Sequence, residues 1–292
     1  MVPNQDIRLK YASKHISNVV FYIPFAYYYI VRLGTFPKFL SWALIYIFPT
    51  FFYSTLNYHG AWLPFIVNYF LILLAVFSVY ELGYILNDTT TINREKSPTI
   101  RLYEHNFLHF QYNRHWIILI RIFYCVIALV GLIIHFKLQT LNLNPQQLGI
   151  TCCAIAIILP IFVLYNHWRN RYNVWLYPIL VFSRYLPFVL LYDIHWLTIL
   201  FLFLAFPLPN MLERFSMPRY RFPIMRILIP TEQSKTTFRA CYYIVLLLAI
   251  IPLVLFSLLD YQYSIPIILL GLYRIALYCI TKFYHPRNYL NG

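Results

Sequence analysis

Long runs of apolar residues recur along this chain and constrain its fold more than any other feature of the sequence. Eight runs can be delimited, and most approach the ~20 residues that an α-helix needs to cross the hydrocarbon core of a bilayer. Only 11% of the 292 residues are charged, whereas about 25% are charged in a typical soluble domain. The sequence therefore predicts an integral membrane protein whose spans are residues 39–57, 62–86, 116–136, 147–166, 172–192, 193–208, 238–258 and 263–283.

The predicted fold class is all-α, a polytopic membrane helix bundle of about eight spans, because the sequence lacks the ~10-residue blocks of alternating polarity that are typical of a membrane β-barrel. An aromatic run at 16–33 could form a ninth span. A crossing there would place the three cations before it opposite the other basic loops, against the positive-inside rule. We therefore predict an N-terminal interfacial segment over 1–34, with a helix at 8–33, and a membrane-embedded domain over 35–292.

The net charge of +14 would point to nucleic acid in a soluble protein. Here the basic residues lie in short loops between the apolar runs, where they orient the helices, so the predicted partners include membrane lipids and no nucleic acid. With eight spans, the loops at 94–114, 169–171 and 214–239 and the C-terminus share one side of the membrane. The positive-inside rule predicts that this basic side is cytoplasmic.

A polar segment on that side follows the second run and carries the strongest chemical signal. Asn87, Asp88 and Glu95 place oxygen ligands where a membrane helix meets water, and Mg²⁺ is typically held by one or two carboxylates together with phosphate oxygens. Glu81 lies seven residues before Asp88 on the same helix face, below the membrane surface, where a carboxylate is usually functional or paired. The cations that would bind the remaining phosphate charge are Arg94, Lys96 and Arg101.

This segment resembles the first signature of the UbiA superfamily of intramembrane prenyltransferases, in the pattern Gly83-Tyr84-x-x-Asn87-Asp88-x-x-Thr91-x-x-x-Glu95. Asn87 and Asp88 match its first two positions, while Thr91 and Glu95 replace its second and third aspartates. The resemblance implies a UbiA-like bundle and a Mg²⁺-dependent transferase with a diphosphate-activated donor. In such a site, Asn87, Asp88 and Glu95 would bind the metal, Asp88 and Glu95 would be catalytic, and further donor contacts would come from Glu81, Tyr84 and Thr91.

The family has a second acidic motif after its sixth span, where this chain has Asn210 and Glu213 without an Asp-x-x-x-Asp pattern. Glu213 is therefore a candidate catalytic acid and metal ligand. One branch of the family transfers phosphoribose to a polyprenyl phosphate; it has a Pro-Thr-x-Arg-like segment after the first motif and a glutamate among basic residues in the second. The chain is similar to that branch at Pro98-Thr99-Ile100-Arg101 and around Glu213, where the candidate donor-binding residues are Asn210, Arg214, Arg219 and Arg221.

Two further arginines, Arg184 and Arg274, lie near the middle of predicted spans. An arginine at that depth is costly and normally points inward to a partner or substrate. One hypothesis is that Arg184 or Arg274 contacts a phosphate of the donor or acceptor. The other is a structural ion pair, for example with Glu81.

The leading functional prediction is phosphoribosyl transfer from phosphoribosyl diphosphate to a polyprenyl phosphate or a lipid-linked glycan. One alternative is transfer of an isoprenyl group to an aromatic or lipid acceptor, in which aromatic side chains would stabilise an allylic carbocation. Another is a degenerate relative without catalytic activity. In the first two cases the metal and the basic residues would stabilise the departing pyrophosphate.

Asp88→Ala and Glu95→Ala should each abolish turnover while the bundle stays folded, because each substitution removes a predicted carboxylate ligand of the metal. Turnover with a diphosphate-activated donor and helix content by circular dichroism are the measurements. Substantial activity in both variants would contradict the metal-site hypothesis.

Overall fold

The computed structural model describes residues 16–56, 58–92, 99–138, 144–168, 173–192, 194–217, 220 and 222–283. Regular structure in these residues is helical, with no strand among them, which confirms the all-α prediction. The α-helices are α1 (Phe36–Trp42), α2 (Phe48–Thr55), α3 (Trp62–Leu86), α4 (Glu104–Leu138), α5 (Pro145–Ala156), α6 (Ile158–His167), α7 (Asn173–Ser183), α8 (Leu186–Leu190), α9 (Trp196–Ala205), α10 (Pro207–Phe215), α11 (Pro223–Leu228), α12 (Glu232–Leu255) and α13 (Ile265–Phe283).

Within the described residues, five helical segments are long and apolar enough to cross a membrane, and there are six if the bent pair α9 and α10 is counted as one span. The two helices of that pair meet at an angle of 42°. These segments support the predicted class of integral membrane protein. The five are Trp62–Thr91, Glu104–Leu138, Pro145–His167, Ser234–Leu255 and Tyr261–Phe283.

The predicted spans at 39–57 and 172–192 correspond to interrupted helices. A π-helical turn at Ala43–Ile47 separates α1 from α2. A turn containing Arg184 separates α7 from α8, and Pro187 occupies the first turn of α8, where its missing N–H has no helical partner to lose. Arg184 therefore lies in a break inside the bundle, where its backbone carbonyl accepts a hydrogen bond from the Tyr46 hydroxyl at 2.9 Å.

Two helices extend beyond the apolar runs that predicted them. α4 begins at Glu104, before the run at 116–136. Its first turns are helical although one of their faces is polar and exposed. α10 continues to Phe215, so Asn210 and Glu213 lie on a helix instead of in a loop after the sixth span. Hydropathy marks only the embedded part of a helix and misses polar turns at its ends.

Residues 16–33, called the N-terminal segment below, do not form one continuous helix as predicted for 8–33, and residues 8–15 of that prediction lie outside the described residues. A 3₁₀ turn at Asn18–Phe21 and a π-helical turn at Tyr28–Leu33 are joined by irregular chain. Side chains of this segment pack with those of α3 and α4 in one buried apolar cluster. The segment is therefore folded onto the bundle.

The central helix is α3, which packs along α4 and α6. It continues into a π-helical turn at Asn87–Thr91, which carries the Asn-Asp pair of the sequence motif. Gly83 allows the close approach of α6, because a Cβ atom at this position would lie 2.2 Å from Cγ of Phe162. The ring of Phe162 also packs edge-on against Tyr80 and Tyr84.

Gly83→Ala should lower the free energy of unfolding by about 1–3 kcal/mol, because the new methyl group overpacks the contact with Phe162. The matched control is Gly149→Ala on α5, where a Cβ meets nothing within 4 Å. That substitution should raise stability by about 0.5–1 kcal/mol, since Ala favours the helix over Gly. Thermal unfolding in detergent measures both, and equal effects at the two positions would contradict the packing assignment.

Candidate functional site

A polar cavity of about 260 Å³ lies at the end of α3. Its wall is formed by the N-terminal segment, the Asn87–Thr91 turn, the stretch before α4, and side chains of α6, α7 and α10. The polar lining residues are Arg32, Asn87, Asp88, Thr99, Arg101, Arg184 and Arg214. The aromatic lining residues are Tyr80, Tyr84, Phe162, Tyr165 and Tyr177.

Positive charge dominates this cavity. Four guanidinium groups and one carboxylate line it, which leaves an excess of three positive charges among its described lining residues. Guanidinium groups present a planar fork of donors that matches phosphate and carboxylate oxygens. The cavity is therefore suited to a small ligand that carries several negative charges.

Asp88 is buried at the edge of the cavity and accepts hydrogen bonds from several groups. The hydroxyl of Tyr27 donates to Oδ2 at 2.8 Å. Arg32 Nη2 donates to Oδ1 at 2.7 Å, and Arg101 Nη1 lies 3.3 Å from the same oxygen. Burial and the adjacent carboxylate raise the pKa of the Tyr27 hydroxyl well above its ordinary value, so this hydroxyl remains the proton donor. Two of the four guanidinium groups are thus partly neutralised by Asp88.

Arg184 is the most enclosed cation of the cavity. The residue is 5% exposed, and its Nε has no hydrogen-bond partner among the described residues. Its guanidinium carbon lies 5.1 Å from the ring centroids of Tyr46 and Tyr80 and 5.3 Å from that of Tyr185. Cation–π contacts offset part of the cost of burial, but the rings carry no net charge.

A second cation with an aromatic neighbour is Arg214 on α10. Its guanidinium carbon lies 4.0 Å from the ring centroid of Tyr177. No salt bridge joins Arg214 or Arg184 to a carboxylate within the described part of the chain. The charges of these two arginines are therefore available to an anionic ligand.

The structure brings together six of the residues that the sequence predicted for the site. Those that line the cavity are Tyr84, Asn87, Asp88, Arg101, Arg184 and Arg214. Those that do not line it are Glu81, Thr91, Asn210, Glu213 and Arg274. The remaining candidates lie outside the described residues, and they are Arg94, Glu95, Lys96, Arg219 and Arg221.

Glu81 has a structural partner, and that partner is not one of the two arginines considered from the sequence. Arg121 Nη1 on α4 donates to Glu81 Oε2 at 2.5 Å, and both side chains are fully buried. Arg184 lines the cavity instead. Thr91 is also turned to a local contact, since its hydroxyl donates to the backbone carbonyl of Asn87 at 3.0 Å.

Glu213 lies next to the cavity but binds another group. Its two carboxylate oxygens accept from Arg239 Nε at 2.5 Å and from Nη2 at 2.7 Å. The carboxylate is therefore bound to α12, whereas the next residue, Arg214, lines the cavity. Arg274 is buried nearby on α13, and its Nε has no hydrogen-bond partner among the described residues.

The resemblance implies a resident Mg²⁺ ion, and two of its predicted ligands, Asn87 and Asp88, lie at the cavity wall. The Mg²⁺ site stays a prediction, because Glu95 lies outside the described residues. Both oxygens of Asp88 already accept from protein donors. The side-chain oxygen of Asn87 accepts from the Thr91 hydroxyl at 3.1 Å. No group of three or more His, Cys, Asp or Glu side chains that could hold a metal occurs in the described part of the chain, and Glu95 lies outside it. The donors in the cavity match phosphate oxygens better than a cation.

Sequence reasoning missed Arg32, Tyr27 and Arg121. Each lies within an aromatic or apolar run, whereas the candidate residues were sought mainly in the polar loops between the runs. The sequence does contain a signal for the two arginines, because a lone arginine within such a run needs an anionic or carbonyl partner. Arg32 stands at the end of the run 16–33, and Arg121 stands inside the run 116–136.

Fold and site together define a helical integral membrane protein with a cationic cavity at one end of its central helix. Comparisons with protein-family models, with curated proteins and with solved structures give no match. The UbiA resemblance thus remains a prediction from sequence.

Arg184→Met should leave the thermal stability unchanged or raise it, because a buried charge is removed and no salt bridge to a described residue is broken. The matched variant Arg239→Met should lower the free energy of unfolding by about 1–3 kcal/mol, since Glu213 then loses its bidentate partner. Thermal unfolding in detergent without multivalent anions compares them. A greater loss of stability in Arg184→Met than in Arg239→Met would contradict the description of Arg184 as a buried charge without a carboxylate partner among the described residues.

Proposed function

We propose that this chain is an intramembrane transferase that binds a diphosphate-activated donor in the arginine-lined cavity. The observation that carries the proposal is Arg184, a buried guanidinium on the cavity wall without a carboxylate partner among the described residues. A buried charge of this kind destabilises a fold unless a ligand neutralises it. An anionic substrate accounts for its presence.

The arrangement of the four arginines favours a donor with more than one phosphate-bearing group. Arg32 and Arg101 share the charge of Asp88, whereas Arg184 and Arg214 contact aromatic rings. A donor such as phosphoribosyl diphosphate carries a diphosphate and a separate phosphate, and both require cations. Phosphoribosyl transfer is therefore the leading assignment.

In this reaction the bond between the anomeric carbon and the diphosphate oxygen breaks, and pyrophosphate leaves with the electron pair. An oxygen of the lipid phosphate acceptor, which is already anionic, forms the new bond to that carbon, so no general base has to remove a proton. Guanidinium groups fixed around the diphosphate stabilise the charge that develops on the leaving group. A lipid-linked glycan would be a second class of acceptor, and its hydroxyl would need a base.

The aromatic wall favours a second candidate, transfer of an isoprenyl group. Tyr80, Tyr84, Phe162, Tyr165 and Tyr177 all line the cavity. Ring faces stabilise a cation within about 6 Å, and departure of pyrophosphate from an isoprenyl diphosphate leaves an allylic carbocation. The same arginines would bind the diphosphate in this reaction.

The UbiA-like architecture is part of the proposal. Five candidate spans and the bent α9–α10 pair give six crossings. If the interrupted pairs α1–α2 and α7–α8 also cross, there are eight, and the basic loops fall on one side. We assign that side, with the cavity, to the cytoplasm on the positive-inside rule. We assign phosphate binding to the guanidinium groups. The experiment below tests whether donor binding also requires Mg²⁺.

The test is thermal stabilisation of the purified protein by phosphoribosyl diphosphate and by geranylgeranyl diphosphate, each with Mg²⁺ and with EDTA. A ligand that binds only the folded state at 100 times its Kd stabilises by about 2.7 kcal/mol. We expect stabilisation by the sugar donor in both buffers, and its loss in Arg184→Gln. Transfer of radiolabelled ribose 5-phosphate to a polyprenyl phosphate then measures turnover.

Each contrary result has a definite meaning. Stabilisation by the isoprenyl donor alone would favour prenyl transfer. Stabilisation that requires Mg²⁺ would contradict binding by guanidinium groups without a metal. No stabilisation by either donor would contradict the proposed function and favour a non-catalytic membrane protein.

A further inference from the structure

The N-terminal segment is held to the bundle by a buried ion pair that has no part in the proposed reaction. Arg121 on α4 and Glu81 on α3 are joined at 2.5 Å, and neither side chain is exposed. Glu81 lies two helical turns deeper than Asp88, about 10.5 Å along α3. The pair therefore lies away from the cavity that Asp88 lines.

Arg121 binds backbone oxygens of the segment as well as Glu81. Its Nε donates to the carbonyl of Phe21 at 2.8 Å, and its Nη2 donates to that of Val20 at 3.0 Å. Each of these donors meets an acceptor that would otherwise be unpaired in an apolar cluster, where a lost hydrogen bond is costly. One guanidinium thus fixes the first turn of the segment.

Glu81 fixes the next stretch of the segment through backbone N–H groups. The N–H of Phe25 donates to Oε2 at 2.8 Å, and the N–H of Tyr28 donates to Oε1 at 2.7 Å. Phe25 has a φ of 69°, a left-handed conformation that is strained for a bulky residue and persists only when its surroundings enforce it. The hydrogen bond to Glu81 is such a constraint.

The same segment delivers two side chains to the edge of the cavity. Tyr27 and Arg32 both donate to Asp88, and the guanidinium of Arg32 stacks 4.3 Å from the ring centroid of Tyr84. Tyr27 is adjacent to the backbone that Glu81 holds, and Arg32 is one turn further on. The position of Arg32 therefore depends on how the preceding backbone is held.

We propose that Arg121 and Glu81 are positioning residues for the cavity, which hold the N-terminal segment so that Arg32 faces the anionic donor. The inference rests on the proposed binding of a phosphorylated donor. Arg121 and Glu81 act through the segment and touch no substrate. The segment is then a structural part of the site.

The test compares Arg121→Lys and Glu81→Gln with Arg32→Gln, and uses Arg114→Lys, an exposed position on the same helix, as the matched control. Lysine keeps the charge of Arg121 but lacks the fork of donors that reaches the two carbonyl oxygens. Binding of inorganic pyrophosphate is measured by calorimetry. Trypsin cleavage after Arg32, followed by mass spectrometry on the full-length protein, reports independently on whether the segment is docked.

We expect Arg121→Lys and Glu81→Gln to accelerate cleavage after Arg32 and to weaken pyrophosphate binding by about tenfold, the effect of losing one charge-assisted hydrogen bond. Arg114→Lys should change neither. The double variant Arg121→Lys/Arg32→Gln should bind no more weakly than Arg32→Gln alone, because both substitutions remove the same contact.

Faster cleavage with unchanged pyrophosphate binding would overturn the positioning role and leave the proposed function intact. Additive losses in the double variant would also overturn it, because Arg121 would then act by a route other than Arg32. Absence of pyrophosphate binding by the wild-type protein would refute the proposed function and the positioning role together. Thermal unfolding of every variant shows whether a loss of binding is caused by misfolding. If Arg121→Lys misfolds, Glu81→Gln, which keeps the shape of the side chain, provides the test of the positioning role.

Discussion

A charge inside a bundle of apolar helices is stable only when another group neutralises it, and this constraint organises the interior of the molecule. Each of the three buried carboxylates of the described chain is paired with at least one arginine. Arg32, Arg101 and Arg239, which bind two of these carboxylates, are partly exposed. The buried Arg184 and Arg274 have no salt bridge to a described residue and keep their charge at particular places. One of these places is a cavity. The pairs are Glu81 with Arg121, Asp88 with Arg32 and Arg101, and Glu213 with Arg239.

The central helix explains how structural and functional charges are kept apart. Glu81 meets only protein donors and is closed to solvent. Asp88, seven residues later, lies in the π-helical turn that follows α3, where it lines the cavity. The deeper carboxylate, Glu81, therefore stabilises the fold, whereas Asp88 near the end of the helix lines the cavity.

The helical class and the position of the cavity could be predicted from sequence, because hydropathy and the Asn87-Asp88 motif depend on local residues. The path of the N-terminal segment could not, since its irregular backbone is set by hydrogen bonds to Glu81 and Arg121 that are far away in sequence. The role of Glu213 was equally hidden, because its partner Arg239 follows 26 residues later on another helix. Spacing identifies charged residues on one element, but pairing between elements depends on tertiary packing.

Glu81 on α3 and Asp88 in the π-helical turn after it also attach the N-terminal segment at two separate places. Glu81 binds its backbone, and Asp88 binds its side chains. When one contact opens, the other keeps the loosened partner at a high effective concentration, so the open contact reforms as an intramolecular event. The segment should therefore leave the bundle only when both of these contacts and the hydrogen bonds from Arg121 break within the same interval. An anionic ligand that draws Arg32 away from Asp88 would loosen one attachment and leave the segment tethered at the other.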